Sequence, residues 1–124
     1  MKLIGLFLFI IIVGFTIFQS YTVEQEKQLI VGTWACNSTP NWKIEFESTG
    51  KCNWYYPNEP TEVYYYTIYS EYTPNGIEHT FLKLVNINNQ NEIFEYSINS
   101  IVDNILTLET LGGFGDKYLY FTKQ

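Results

Sequence analysis

Arginine is absent from this 124-residue chain, histidine occurs once and cysteine twice, and no long stretch keeps a helical period of apolar residues. Each shortage removes a class of function. Seven cations against thirteen acids leave a net charge of −6. Nucleic acid is therefore excluded as a partner, because such binding draws its affinity from cations meeting phosphates. Anionic membrane surfaces are disfavoured for the same reason. His79 alone cannot build a multi-histidine metal site, and no nucleophile with an orienting acid stands near it in the sequence. It reads as an exposed strand histidine. Glu45 and Glu47 share an outward strand face, which suits solubility better than acid/base chemistry. Gly112-Gly113-Phe114-Gly115 lacks the following helix that a phosphate loop requires. The expectation is a chain with no catalytic residue, no cofactor and no metal.

What the chain has instead is rings. Eleven tyrosines, nine phenylalanines and three tryptophans make 19% of it aromatic, a composition that packs well on pleated surfaces. From Gly32 onward the pattern has period two. Trp42, Ile44 and Phe46 alternate with Lys43, Glu45 and Glu47, the cleanest half-buried strand in the sequence. Cys52, Trp54 and Tyr56 share a face, as do Thr80, Leu82 and Leu84, then Phe94, Tyr96 and Ile98, then Leu106 and Leu108. Turn residues separate these runs at Ser38 to Asn41, Ser48 to Gly50, Asn58 to Pro60, Thr73 to Gly76, Asn88 to Asn91, Asp103-Asn104 and Gly112 to Asp116. Eight strands with short connections favour sequential antiparallel neighbours, and eight such strands can close on themselves. The expected fold is all-β: an eight-stranded up-and-down antiparallel barrel. A two-sheet sandwich is the competing solution, but the long crossover of a Greek key is missing.

Ahead of the strands, Met1-Lys2 and the uncharged run from Leu3 to Phe18 have the layout of a positive n-region and an apolar h-region. As a helix, sixteen residues span roughly 24 Å, short of the ~30 Å hydrocarbon core. The division expected is a signal peptide or signal anchor over 1–22, a linker or short helical turn over 23–31, and the barrel domain over 32–124. Such a leader sends the domain outside the cytoplasm, secreted or periplasmic, or held at the membrane by residues 3–18. Membrane contact then arises only if the leader stays uncleaved.

Leu29-Ile30-Val31-Gly32-Thr33-Trp34 marks the point where the leader gives way to strands. Glycine lets the backbone turn tightly into a first strand, and the indole two residues on can plug one end of a barrel. Together with Phe46-Glu47-Ser48-Thr49-Gly50-Lys51 and Tyr118-Leu119-Tyr120-Phe121, this stretch resembles the small bacterial lipocalin-like domains of the calycin group, over about residues 28 to 124. Gly32 and Trp34 match the family's first-strand motif. The arginine that packs over that tryptophan in lipocalins is missing, leaving Lys123 as the substitute, and the Thr-Asp-Tyr motif and C-terminal helix of larger members are absent. The resemblance implies a barrel holding a small apolar molecule, but not retinoid or haem binding.

The residues expected to face that interior are Trp34, Trp42, Ile44, Phe46, Trp54, Leu82, Phe94 and Tyr96, with Gly32 and Trp34 closing the barrel. They line a pocket in one reading and fill the barrel solidly in the other. Cys36 and Cys52, an even pair in an exported chain, are the disulfide candidate, although strand register sets them apart sideways and lengthwise. Tyr64, Tyr65, Tyr66, Tyr69 and Tyr72 pair across strands or present an aromatic outer face to a glycan or protein. The functional expectation is non-catalytic binding of a small hydrophobic ligand. Its rival is a solid-core interaction module.

Overall fold

The computed structural model describes residues 22–112 and 117–124. Eight strands, β1 (Gly32–Cys36), β2 (Lys43–Phe46), β3 (Lys51–Tyr55), β4 (Glu62–Tyr72), β5 (Glu78–Asn86), β6 (Ile93–Val102), β7 (Ile105–Thr110) and β8 (Tyr118–Lys123), pair in chain order into a closed barrel. Every neighbouring pair is antiparallel, and β8 returns to β1 through Trp34 opposite Lys123 and Cys36 opposite Phe121. Closure leaves no free sheet edge, and the sandwich alternative is excluded. The apolar helix expected over residues 3–18, and most of the Gly112 to Asp116 loop, lie outside the described residues.

Alternation places the core as expected along most of the wall. Ile44 and Phe46 are buried while Lys43 is exposed; Thr80, Leu82 and Leu84 are buried along β5. On β6 the alternation breaks. Ile98 pairs with Leu108 and Ser100 with Thr107, so Asn99 is an extra residue in a bulge. Tyr96 and Ile98 point inward before it, and Ile101 after it.

The turns explain the register. Asp103 and Asn104 both have positive φ, 52° and 64°, the backbone of a type I′ hairpin. The Asn75-Gly76 connection is longer. Gly76 N–H donates to Thr73 O with φ of Gly76 at 84°, a type I turn over Pro74-Asn75 closed by a left-handed glycine.

Among the described residues one short helix, α1 (Val23–Leu29), precedes β1, over the stretch read as a linker or helical turn. Thr22 caps it: its side chain accepts from the Gln25 backbone N–H, while Gln25 Oε1 accepts from the Thr22 backbone N–H. Val23 and Leu29 pack against the core, and Ile30 just after the helix is fully buried. Strand directions put α1, the 47–50, 73–77 and 103–104 turns and the C-terminus at one end. The 37–42, 56–61 and 87–92 loops stand at the other.

Candidate functional site

At the helix end the barrel is shut. Trp34 is 1% exposed and its Nε1–H donates to Ile30 O at 2.8 Å. Lys123 lies above the same indole, Nζ 5.3 Å from the ring centroid, and donates to Leu29 O at 3.2 Å. Gly32 has φ 134°, and a Cβ there would stand 2.9 Å from Lys123 Cε. The glycine therefore serves both a backbone conformation and a close approach. Gly32, Trp34 and Lys123, the residues singled out for closure and for the place of the arginine, are brought together at this end.

The middle of the barrel is filled. Ile44, Phe46, Leu82, Leu84, Leu106 and Leu108 are each at most 1% exposed and belong to one continuous core cluster with Tyr64, Tyr96, Ile98 and Phe121. Of the residues expected to face inward, Trp34, Ile44, Phe46, Leu82 and Tyr96 are buried, and Trp54 and Phe94 are partly buried against the core.

Trp42 departs from expectation: it is 41% exposed. It ends the 37–42 turn, where its N–H donates to Thr39 O and its carbonyl accepts from Cys36 N–H, so β2 begins one residue later. Among the described residues its ring meets that of Tyr56 at the rim.

At the loop end rings gather. Trp54 stacks on Tyr56 at 6.0 Å and meets Phe121 edge-on at 6.4 Å; Trp42 meets Tyr56 edge-on at 5.1 Å; Tyr64 meets Phe94 edge-on at 6.0 Å. The Tyr64 hydroxyl donates to Glu62 Oε2. Burial, then the Glu62 charge, pushes the Tyr56 phenol up; burial, then the Glu62 hydrogen bond, does so for Tyr64. Tyr96 is pushed up to about 12, chiefly by burial. These phenols stay neutral, and that of Tyr64 serves as a hydrogen-bond donor. One polar atom stands out here. Trp54 Nε1 is sealed from solvent with no hydrogen-bond partner among the described residues, at a cost of about 1–3 kcal/mol for such a donor.

The cysteine pair is not a disulfide: Cys36 and Cys52 are free, buried thiols. Cys52 pairs with Phe46, and Phe46 pairs with Gly32, four residues below Cys36 on β1. The two therefore stand about 13 Å apart lengthwise with β2 between them, beyond the reach of a disulfide. Burial pushes the Cys52 thiol well up. For Cys36 burial acts the same way, but it is outweighed by hydrogen bonds from Ser38 and Thr39, which leave that thiol below its ordinary value. Thr39 Oγ1 donates to Cys36 Sγ at 3.6 Å.

His79 is exposed on β5, and no group of three His, Cys, Asp or Glu among the described residues is placed to hold a metal ion. Glu45 and Glu47 are bound into a surface network, accepting from Asn53 Nδ2 at 3.0 and 2.7 Å, with the Tyr55 hydroxyl also donating to Glu45. Sequence reasoning missed Glu26. It sits in a polar helix, yet is 8% exposed, and its Oε2 has no partner among the described residues. Only the apolar Val23, Leu29 and Ile30 around it signal that this helix has a buried side. Comparison with protein-family models, curated proteins and solved structures finds no match to this chain.

Proposed function

We propose that this barrel is a non-catalytic, lipocalin-like binding protein that takes a small apolar molecule at its ring-lined mouth. The guest carries a hydrogen-bond acceptor that meets Trp54 Nε1. The orphaned indole N–H carries the reading. A buried donor left unpaired costs stability, and rings converging on a polar group are the usual lining of a small-molecule site. The filled middle of the barrel supports a guest among Trp54, Tyr56, Phe94 and Tyr96 rather than beside Leu82 and Leu84. Kinship with lipocalin-like domains belongs to the same proposal, supported by the Gly32–Trp34–Lys123 closure. So does a place outside the cytoplasm, which rests on Lys2 and the uncharged run from Leu3 to Phe18 and draws nothing from the two free thiols.

The test is a tryptophan-fluorescence titration with 2-acetylnaphthalene against 2-ethylnaphthalene, which has the same shape without the acceptor. The ketone is expected to bind about 10-fold more tightly, the worth of one hydrogen bond in a sealed site, and Trp54→Phe to erase the preference. Binding of neither probe, or a preference that survives in Trp54→Phe, overturns the proposal. In that event the second reading stands, a solid module with an outward docking face. Its support is the exposed group Val102, Ile105, Tyr118 and Tyr120 on the adjacent strands β6, β7 and β8.

A further inference from the structure

The shut end carries a concavity that the mouth does not use. Between α1 and the wall runs a groove of about 510 Å³, bounded by Thr22 and Glu26, by residues 77–80 and by residues 97–99. Glu26 is more than nine-tenths buried in its side, with Oε2 unpartnered among the described residues. Buried carboxylates are normally held by a cation or by several donors. Here the neighbouring polar side chain is the Thr80 hydroxyl, itself 8% exposed. Among the described residues no lysine lines the groove; Lys27 of the same helix is paired with Glu24 at 3.2 Å. The other ionisable residues facing it are Glu78 and His79.

The chemistry of the lining selects its guest. Two carboxylates and the hydroxyls of Thr22, Thr80 and Ser97 ask for a cation with several donors, and Ile77 and Ile98 offer an apolar flank. Among the described residues the ligand set for a metal ion is missing. A primary ammonium, with three N–H donors on a hydrocarbon stem, matches instead. The bulge at Asn99 interrupts β6 at this wall, and bulges of this kind recur beside binding sites. We infer that the groove between α1 and strands β5 and β6 binds a small aliphatic ammonium compound, its head on Glu26 and its stem against Ile77 and Ile98.

The probe is n-butylammonium chloride, titrated into the full chain and followed by amide NMR. 1-Butanol, with the same stem and no charge, is the control. Butylammonium is expected to shift Glu26, Thr80 and Asn99 saturably with Kd about 1 mM, the scale for so small a ligand, and 1-butanol to bind at least about 10-fold more weakly. Glu26→Gln weakens binding by about 10-fold or more, and Thr80→Val, which keeps the carboxylate, by about 3-fold. Affinity rises with pH as the Glu26 carboxyl, raised by burial, ionises. Trp54→Phe leaves all of this unchanged, so failure here and failure at the mouth are distinguishable. Equal binding of 1-butanol, wild-type affinity in a folded Glu26→Gln, shifts confined to the mouth, or no saturable shift overturns the inference.

Discussion

Trp34 and Trp54 stand in one row of the sheet, joined through Ile44, which pairs with both. The strands treat them alike; their surroundings do not. Trp34 is 1% exposed, with its N–H on Ile30 O and Lys123 over its face. Trp54 is partly open, stacked on Tyr56, and its N–H meets nothing among the described residues. The difference comes from what each barrel end receives. One end gets α1 and the C-terminus, which supply carbonyls and a cation. The other gets loops and rings, among which Trp54 stacks on Tyr56 and the Tyr64 hydroxyl donates to Glu62. A barrel wall repeats itself, so the difference between its ends is set by what is added there.

The strongest way to break this contrast is to truncate both indoles. Trp34→Ala is expected to cost about 3–5 kcal/mol in urea unfolding, the range for emptying a sealed aromatic site. Trp54→Ala should cost about 1–2 kcal/mol, since part of that ring is already in water and an unpaired donor leaves with it. Phenylalanine sharpens the contrast. Trp34→Phe strands the Ile30 carbonyl and loses stability, whereas Trp54→Phe removes an orphan and stays within about 0.5 kcal/mol of wild type. Equal losses at the two positions would remove the distinction between the ends.

A smaller effect is expected from the cation at the shut end. Lys123→Met keeps a hydrocarbon stem beside Gly32 while removing the bond to Leu29 O and the charge over Trp34. The expected loss is about 1 kcal/mol, from one hydrogen bond and one partly exposed cation–π contact. Urea midpoints measure it. No loss at all would mean that Trp34 and α1 close the barrel without help from the last strand.

The barrel was legible because its signals are local and repeated. Ile44 and Phe46 against Lys43 and Glu45 announce a half-buried strand, and Asp103-Asn104 has the residues a left-handed turn needs. Gly32 and Trp34 drew notice for a similar local reason, a permissive backbone beside a bulky ring, and that ring is buried. What escaped depends on contacts between distant parts. The Asn99 bulge changes which side of β6 faces inward, and nothing in Ile98-Asn99-Ser100 marks it. Trp42 keeps the parity of its strand but lies past the rim. For the cysteines, counting favoured a bond while register opposed it. Register decided, with Cys52 beside Phe46. Glu26 was hidden most completely, because a charged residue among Glu24, Gln25 and Lys27 reads as solvated until the helix is laid against the wall.

Glu26 also yields the finest separation of the two ends, because its effect depends on pH. Burial raises its carboxyl above the ordinary range, opposed by the Thr80 hydroxyl and reinforced by the charge of Glu78. A group raised in the folded state favours folding fully below its unfolded value, and that contribution is lost as pH rises through the folded value. Wild type therefore bears the desolvation of a charge at neutral pH and is relieved of it in acid. Glu26→Leu, which fills the site with hydrocarbon and continues the apolar side formed by Val23 and Leu29, should be more stable than wild type by about 1 kcal/mol near neutral pH. The gain should shrink once the carboxyl is protonated in both states. Paired thermal melts of the two proteins at neutral and acid pH measure it as a difference of differences, so other carboxylates cancel. A gain that does not change with pH would show that the Glu26 carboxyl titrates alike in the folded and unfolded chain, solvated enough for its charge to cost nothing. The shut end would then have no costly buried carboxylate to set against the uncharged orphan at the mouth.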